Sequence, residues 1–207
     1  MKRGRTLDWA PSARVKRWCA AVAGVMASLF VLDVALPPPL SRVRDISPVV
    51  LDKDGVWLRA FTTKEGRWRL QARLDEIDPE FLGRLVKIED QNFWVHPGVD
   101  PLAMARASGT YLQKRRVVSG GSTITMQLAR MLEPRPRNVG SKLIEMIRAV
   151  QIERRLRKKQ ILAAYLTMTP YGGNLEGVRA ASRAYFGRDP QALDDFRKAV
   201  RSKVWID

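Results

Sequence analysis

The chain has 207 residues, a length that suits one domain of ordinary size with a short additional segment. Its 37 lysines and arginines outnumber 21 acidic residues, for a net charge of +16, and 45% apolar residues exclude a disordered chain. A single cysteine excludes an internal disulfide, and a single histidine excludes a histidine-rich metal site. The charge leaves nucleic acid, an anionic membrane or a phosphorylated substrate as acidic partners.

The amino-terminal residues predict a membrane anchor. Residues 1–17 contain one acid, Asp8, and these basic residues: Lys2, Arg3, Arg5, Arg14, Lys16 and Arg17. An apolar segment interrupted by Asp33 follows at 18–36, and as a helix it would span roughly 28 Å. The positive flank predicts a cytoplasmic tail (1–17), a retained transmembrane signal anchor (18–36) and a body outside the cytoplasm. A cleaved signal peptide is the alternative, disfavoured because no small-x-small site ends the apolar segment.

Residues 37–76 predict a small β-rich neck. Segments 49–51 and 56–61 are rich in strand-forming residues and flank the sequence Asp-Lys-Asp-Gly, which is typical of a hairpin turn. A further short strand is predicted at 68–70.

From residue 77 onward the pattern predicts helices. Three Asp-Pro pairs each offer an N-cap followed by proline at the first helical position: 78–79, 100–101 and 189–190. Further helices are predicted from Thr123 to Leu132 with Ser122 as N-cap, from near Ser141 to about Arg157, and from Gln160 to Met168. We therefore expect a mainly α protein.

Glu89 is the first candidate for chemistry. The helix after Asp78 places Leu82, Leu85, Val86 and Glu89 on one stripe, so Glu89 ends an otherwise apolar face, as suits a general base. The competing interpretation is a surface glutamate at a helix end.

Three residues after Glu89 have ordinary structural interpretations when taken singly. Asp90 suits a solvated helix end, Phe93 a core position, and His96 a turn before Pro-Gly.

A second group of candidates surrounds a predicted helix amino terminus. The glycines before Ser122 and the free amides of the first turn suit an anionic group such as phosphate. Because no Gly-Lys-Ser/Thr follows, nucleotide hydrolysis has no support. Thr123, Gln127 and Arg130 share one polar helix face, which could equally be a solvated surface.

The third group lies on the most basic segment, between Arg130 and Lys159. Lys142, Glu145 and Arg148 recur every three residues on one predicted helix. They form either an ion-pair ladder worth a few tenths of a kcal/mol or a cationic site for a diphosphate, organised by one carboxylate.

Together these residues resemble the peptidoglycan glycosyltransferases, family 51. Residues 89–98 (EDQNFWVHPG) resemble the family's E-D-x-x-F-x-x-H-x-G motif, and 121–127 (GSTITMQ) resemble its G-x-S-T-I-T-x-Q motif. Lys142-x-x-Glu145 matches most of R-K-x-x-E, and 158–166 match most of K-x-x-I-L-x-x-Y-L-N. The motifs occur in the family's order across about 77–190. The neck and residues 117–120 resemble the 1C subclass of the penicillin-binding proteins within it.

The resemblance implies a lysozyme-like, two-lobed helical domain that polymerises lipid II into glycan strands by inverting transfer. It implies two catalytic residues: Glu89 as general base, and Glu145, which would orient cations or hold a divalent metal, Mg²⁺ or Mn²⁺. It implies substrate contacts at the following positions: Asp90, Phe93, His96, Ser122, Thr123, Gln127, Arg130, Lys142, Arg148 and Lys158.

The resemblance also implies a location and partners. We expect a single-pass protein of the bacterial inner membrane with a periplasmic catalytic domain. The implied partners are lipid II, the growing glycan strand, the membrane and other cell-wall synthesis or division proteins, whereas nucleic acid is not expected.

Several positions depart from the family. Ser141 stands where arginine is usual, Thr167 where asparagine is usual, and residues 191–207 diverge, which predicts a carboxyl-terminally incomplete domain with no transpeptidase domain. The alternatives are an inactive membrane-anchored remnant that at most binds lipid diphosphate, a lysozyme-like glycan hydrolase, and a nucleic-acid binder supported by charge alone.

Overall fold

The computed structural model describes residues 12–114, 121–187 and 189. Four of the predictions fall wholly or partly outside them: most of the basic tail 1–17, the segment 117–120, the helix after Asp189-Pro190, and the divergent tail 191–207. The contacts divide the chain into one unit up to Pro37 and another from Pro38 onward.

The first unit contains a single described helix, α1 (Ala13–Ala35). It covers most of the segment in which the sequence predicts an anchor. Among the residues that the structure describes, no helix combines the length and apolarity that crossing a membrane requires. The anchor therefore stays a prediction.

The second unit begins with a short helix, α2 (Ser41–Arg44), and the predicted hairpin. Strand β1 (Val49–Leu51) pairs antiparallel with β2 (Trp57–Ala60). The Asp52 carboxylate accepts hydrogen bonds from the backbone N–H groups of Asp54 and Val56 at 2.9 and 2.8 Å, which closes the turn. The hairpin prediction is confirmed.

The predicted third strand forms, but its partner comes from far along the chain. Strand β3 (Trp68–Arg69) pairs in parallel with β4 (Leu175–Glu176). The Arg69 side chain is fully buried and donates to the carboxylates of Glu176 and Glu65 at 2.7 and 3.3 Å. It also donates to the backbone carbonyls of Arg42 and Asp45, both at 2.9 Å. Arg69 thus joins β4 to the segment that contains α2 and Glu65.

From residue 79 onward, the described residues form six helices: α3 (Pro79–Glu89), α4 (Pro101–Lys114), α5 (Ile124–Leu132), α6 (Val139–Arg155), α7 (Lys158–Met168) and α8 (Val178–Phe186). Asp78 caps α3 by accepting from the Glu80 N–H at 2.8 Å, and Asp100 caps α4 by accepting from the Ala103 N–H at 2.9 Å. Both of these predicted caps are confirmed.

The predicted bounds of the next helices need correction. Thr123, not Ser122, caps α5, because its hydroxyl accepts from the Met126 N–H, whereas the Ser122 hydroxyl accepts from Lys142. Helix α6 begins at Val139 because Asn138 caps it. It ends at Arg155 because the backbone is extended at the next two residues; α7 then begins at Lys158, not Gln160.

Apolar faces of α3, α5, α6 and α7 supply much of the core. Leu85 of α3, Leu128 of α5, Ile152 of α6 and Leu166 of α7 are all almost fully buried, together with Phe93 from the loop after α3. Helix α5 packs against both α6 and α7 and so lies at the centre. The mainly helical class is confirmed, whereas the lysozyme-like two-lobed arrangement stays a prediction.

Candidate active site

Glu89 lies on a cleft of about 350 Å³, at the carboxyl end of α3. The start of α4 and the residues before α5 form the other walls, and Ser122 lies among them. Two exposed cations, Lys87 and Arg106, also line the cleft. A carboxylate therefore shares one pocket with a hydroxyl and positive charge.

A side-chain amide holds the Glu89 carboxylate. Gln127 on α5 donates from Nε2 to Glu89 Oε2 at 2.9 Å, and the Tyr165 hydroxyl on α7 lies 3.3 Å from Gln127 Oε1. Tyr165 is almost fully buried. Burial raises the pKa of its phenol well above the ordinary value, and the Glu89 charge adds to the effect. The hydroxyl therefore keeps its proton and donates to Gln127.

Asp90 joins the loop after α3 to the start of α5. Its buried carboxylate accepts from the Ile124 N–H at 2.9 Å and lies 2.9 and 3.0 Å from His96 Nε2. His96 Nδ1 accepts from the Gly98 N–H at 3.1 Å, which assigns the imidazole proton to Nε2, facing Asp90. The residue after the candidate base is thus fixed by two partners.

Residues 90–100, between α3 and α4, form the first loop. The predicted residues Thr123 and Lys158 both contact this loop. The Thr123 hydroxyl donates to the Gly98 carbonyl at 2.6 Å. Lys158 Nζ donates to the His96 carbonyl at 2.7 Å and lies 4.6 Å from the ring centroid of the fully buried Phe93. These residues position the segment that carries Glu89, and their direct contact with a substrate stays a prediction.

Gly98 is the point of closest approach in this loop. Its φ is +99°, and a Cβ atom there would lie 2.8 Å from the Ala149 carbonyl oxygen and 2.9 Å from Glu153 Cγ. Only glycine fits without moving the loop away from α6.

The second cluster of predicted residues is cationic. Lys142 donates to the Ser122 hydroxyl, and its Nζ lies 3.5 Å from Glu145 Oε2. Arg130 Nε lies 4.0 Å from Glu145 Oε1. Burial lowers the pKa of Lys142 and the Arg130 charge adds to this, although the Glu145 carboxylate opposes it. Two cations and one carboxylate thus meet beside Ser122, and Ser122 itself lines the cleft that holds Glu89.

Arg148 has different partners. Its guanidinium lies 3.0 Å from the Glu133 carboxylate and donates to the Gln151 side chain at 2.8 Å, so it joins α6 to the C-cap of α5. Its predicted contact with a diphosphate stays a prediction.

The surroundings of Glu145 do not suit a metal held by the protein alone. Lys142 and Arg130 already pair with this carboxylate. Within the described parts of the chain, no three His, Cys, Asp or Glu side chains converge as a metal cluster. A divalent metal stays a prediction of the family resemblance.

Three residues of the site received no role from the sequence. Lys87 lies on α3 and Arg106 on α4, and the sequence pattern of these helices does not show that the two side chains line a cleft. Tyr165 belongs to the fourth motif, and a tyrosine within an apolar helix carried one usable signal: its hydroxyl requires a partner when buried.

Comparison with known proteins shows the family of the chain. A family model described as Transglycosylase matches residues 54–200. Penicillin-binding protein 1C of Escherichia coli is 40% identical over 188 residues, which cover 88% of this chain and 24% of the relative. Penicillin-binding protein 1A of Aquifex aeolicus is 35% identical over 158 residues, which cover 76% of this chain and 20% of the relative. The chain spans about a quarter or less of these curated relatives. The extent of the family match and the 40% identity show that the chain belongs to the transglycosylase family.

Proposed function

We propose that the chain is a peptidoglycan glycosyltransferase that polymerises lipid II into glycan strands. The observation that carries this proposal is the shared cleft of Glu89 and Ser122, because Ser122 accepts from Lys142 in the cluster with Glu145 and Arg130. A candidate base on the cleft, with a cationic cluster bonded to a hydroxyl of the same cleft, suits transfer of a sugar from a diphosphate.

In the proposed reaction Glu89 is the general base. It accepts the proton of the acceptor GlcNAc 4-hydroxyl as that oxygen attacks C1 of the donor MurNAc, and the bond from C1 to the diphosphate oxygen breaks. Attack opposite to the leaving group inverts the configuration at C1. The Gln127 amide on Oε2 supports this assignment, since it fixes how the carboxylate faces the cleft.

The leaving group explains the cations. A polyprenyl diphosphate departs as an anion, so it needs positive charge rather than a proton donor. Lys142 and Arg130 supply that charge, and Glu145 orients both. Ser122, Thr123 and Gln127 form the donor side in this proposal.

The other carboxylates of the cleft argue against a glycan hydrolase. A glycosidase needs a second carboxylic acid that is protonated near neutral pH. Asp90 accepts from the Ile124 N–H and faces the His96 Nε2 proton. Asp100 accepts from the Ala103 N–H and from Asn92, and these hydrogen bonds lower its pKa. Neither suits a general acid.

The proposed setting is the bacterial inner membrane, with the predicted anchor at residues 18–36 and the catalytic domain periplasmic. Support in the second unit comes from the outer face of α6, where Leu143, Ile147 and Val150 are exposed along one side. An apolar face on the helix that also carries Lys142 suits a protein whose substrate stays in the bilayer. Other cell-wall proteins are proposed partners on the family resemblance alone, as is the lysozyme-like fold.

The test is glycan-strand synthesis from labelled lipid II in detergent, with and without Mg²⁺. We expect the wild-type chain to make polymer and Glu89→Gln to make none, because the amide cannot accept the hydroxyl proton. Glu80→Gln is the matched control, an exposed glutamate of the same helix that pairs with Arg84. Polymer from Glu89→Gln at the wild-type rate would overturn the assignment of the base.

The same assay separates the other candidate functions. Saturable lipid II binding without polymer would identify a binding protein that lacks catalysis. Release of sugar fragments from finished glycan would identify a hydrolase. Salt-dependent DNA binding in place of both would identify a nucleic-acid binder.

A further inference from the structure

We infer that Tyr165 is a positioning residue for the reaction, acting on Glu89 through the side-chain amide of Gln127. This inference rests on the proposed function, because it assigns Glu89 the role of base. It extends that function to a residue on α7 whose hydroxyl lies one side chain away from Glu89.

The Gln127 amide has a defined orientation between Glu89 and Tyr165. Its Nε2 donates to Glu89 Oε2 at 2.9 Å while its Oε1 faces the Tyr165 hydroxyl at 3.3 Å. An amide presents a donor on one side and an acceptor on the other. The arrangement is therefore directional: a hydroxyl that donates to Oε1 requires the NH₂ group to face the carboxylate.

Tyr165 itself is held in place by its surroundings. Its side chain is almost fully buried, and its raised pKa keeps the hydroxyl protonated. The backbone carbonyl of Tyr165 accepts from both the N–H and the hydroxyl of Thr169, at 2.9 and 2.7 Å. The phenol thus extends from a fixed point of α7 toward α5 and the end of α3.

Loss of the Tyr165 hydroxyl would change the hydrogen bonding of Gln127. Without it, Oε1 of Gln127 has lost a buried donor, and a rotated amide would turn its carbonyl toward the Glu89 carboxylate. The carboxylate would then sample orientations in which it no longer faces the acceptor hydroxyl. Because a small misplacement of a catalytic group costs rate more than binding, the effect belongs to kcat.

The experiment compares Tyr165→Phe with Tyr185→Phe in the polymerisation assay. Tyr185 is the matched control, since its exposed side chain donates only to the Tyr171 carbonyl in the contacts described. We expect Tyr165→Phe to lower kcat about 10-fold or more while KM for lipid II and the thermal midpoint stay near wild type. Tyr185→Phe is expected to match wild type in all three.

A double-mutant cycle distinguishes positioning from a general loss of packing. If Tyr165 acts through Gln127, adding Tyr165→Phe to Gln127→Leu will lower kcat no further than Gln127→Leu alone. An unchanged kcat in Tyr165→Phe would overturn the inference, as would losses that multiply in the double variant.

A second readout does not depend on turnover and keeps the two proposals apart. The side-chain NH₂ signals of Gln127, followed by ¹⁵N NMR, are expected to shift in both Glu89→Gln and Tyr165→Phe. We call the hydrogen bonds from Tyr165 through Gln127 to Glu89 the amide relay. If the wild type makes no polymer but these shifts occur, the proposed function fails and the amide relay stands. If the signals in Tyr165→Phe match wild type, the relay fails whatever the activity.

Discussion

Lys142 is the residue whose chemistry the fold alters in the most testable way. An exposed lysine stays charged far above neutral pH. In this chain burial lowers the pKa of Lys142, and the nearby charge of Arg130 lowers it further, against the opposing carboxylate of Glu145. The ammonium therefore loses its proton at a lower pH than an exposed lysine does.

We predict that affinity for lipid II falls as the pH rises from neutral to alkaline. The sign follows from the direction of the shift: deprotonation removes a positive charge from the proposed diphosphate site. In Lys142→Arg the guanidinium stays charged throughout, so the fall should shrink. Fluorescence anisotropy with labelled lipid II measures both proteins, and identical pH profiles would contradict the prediction.

For single residues, the sequence predicts which side chains belong to the site better than it predicts which of them contact each other. The three-residue spacing of Lys142 and Glu145 places them together because one helix carries both. The partnership of Glu89 with Gln127 joins α3 to α5, and no local pattern encodes a contact between residues 38 positions apart. The partner of Arg148 is likewise on another element, at Glu133.

Helix α6 has two faces with different surroundings. Ala149 and Ile152 are buried in the core, whereas Leu143, Ile147 and Val150 are exposed on the other side. A stripe of exposed apolar residues on a helix is unusual unless a partner covers it. The proposed function supplies a lipid surface as that partner.

We predict that residue 147 enters an apolar environment on anionic vesicles. Ile147→Cys, in a chain with Cys19→Ser, would carry an environment-sensitive dye, and its emission should shift to the blue on phosphatidylglycerol vesicles. Asp54→Cys, at the exposed hairpin turn, is the matched control and should not shift. Equal emission changes at the two positions would contradict the prediction.

Helix existence follows from the sequence, while helix bounds depend on contacts made elsewhere. The Asp-Pro pairs at 78 and 100 specify their helices locally. The choice between Ser122 and Thr123 as cap of α5 was not local, because Lys142 from α6 engages the serine hydroxyl. Strand β3 was predictable, but its pairing with β4 was not, because their residues lie more than a hundred positions apart.

Across the second unit, the buried Arg69 side chain connects segments that are distant in the sequence. Its guanidinium is fully buried and bonds to Glu176, Glu65 and two backbone carbonyls. Removing one partner of a buried ion pair leaves uncompensated charge, which costs more than the pair contributes.

We predict that Arg69→Met lowers the free energy of unfolding by about 3–5 kcal/mol. The double variant Arg69→Met, Glu176→Leu should be more stable than Arg69→Met alone, because in the described part of the chain the largely buried Glu176 carboxylate keeps only its 3.4 Å contact with Arg67 once Arg69 is removed. Arg73→Met, at an exposed arginine paired with Asp75, serves as the control and should leave the urea midpoint unchanged. A midpoint for Arg69→Met equal to that of the control would refute the prediction.

The contacts around Asp90 and Gly98 have a consequence for the protein's working range. Hydrogen bonds join the end of α3 and the first loop to α5 and α7, and Gly98 lies close against α6, so within the described residues the contacts that support the cleft are also contacts of the core. Catalysis and folding would then fail together on heating, in one transition. A cold-adapted variant that gained turnover through greater flexibility of this region would also have a lower free energy of unfolding.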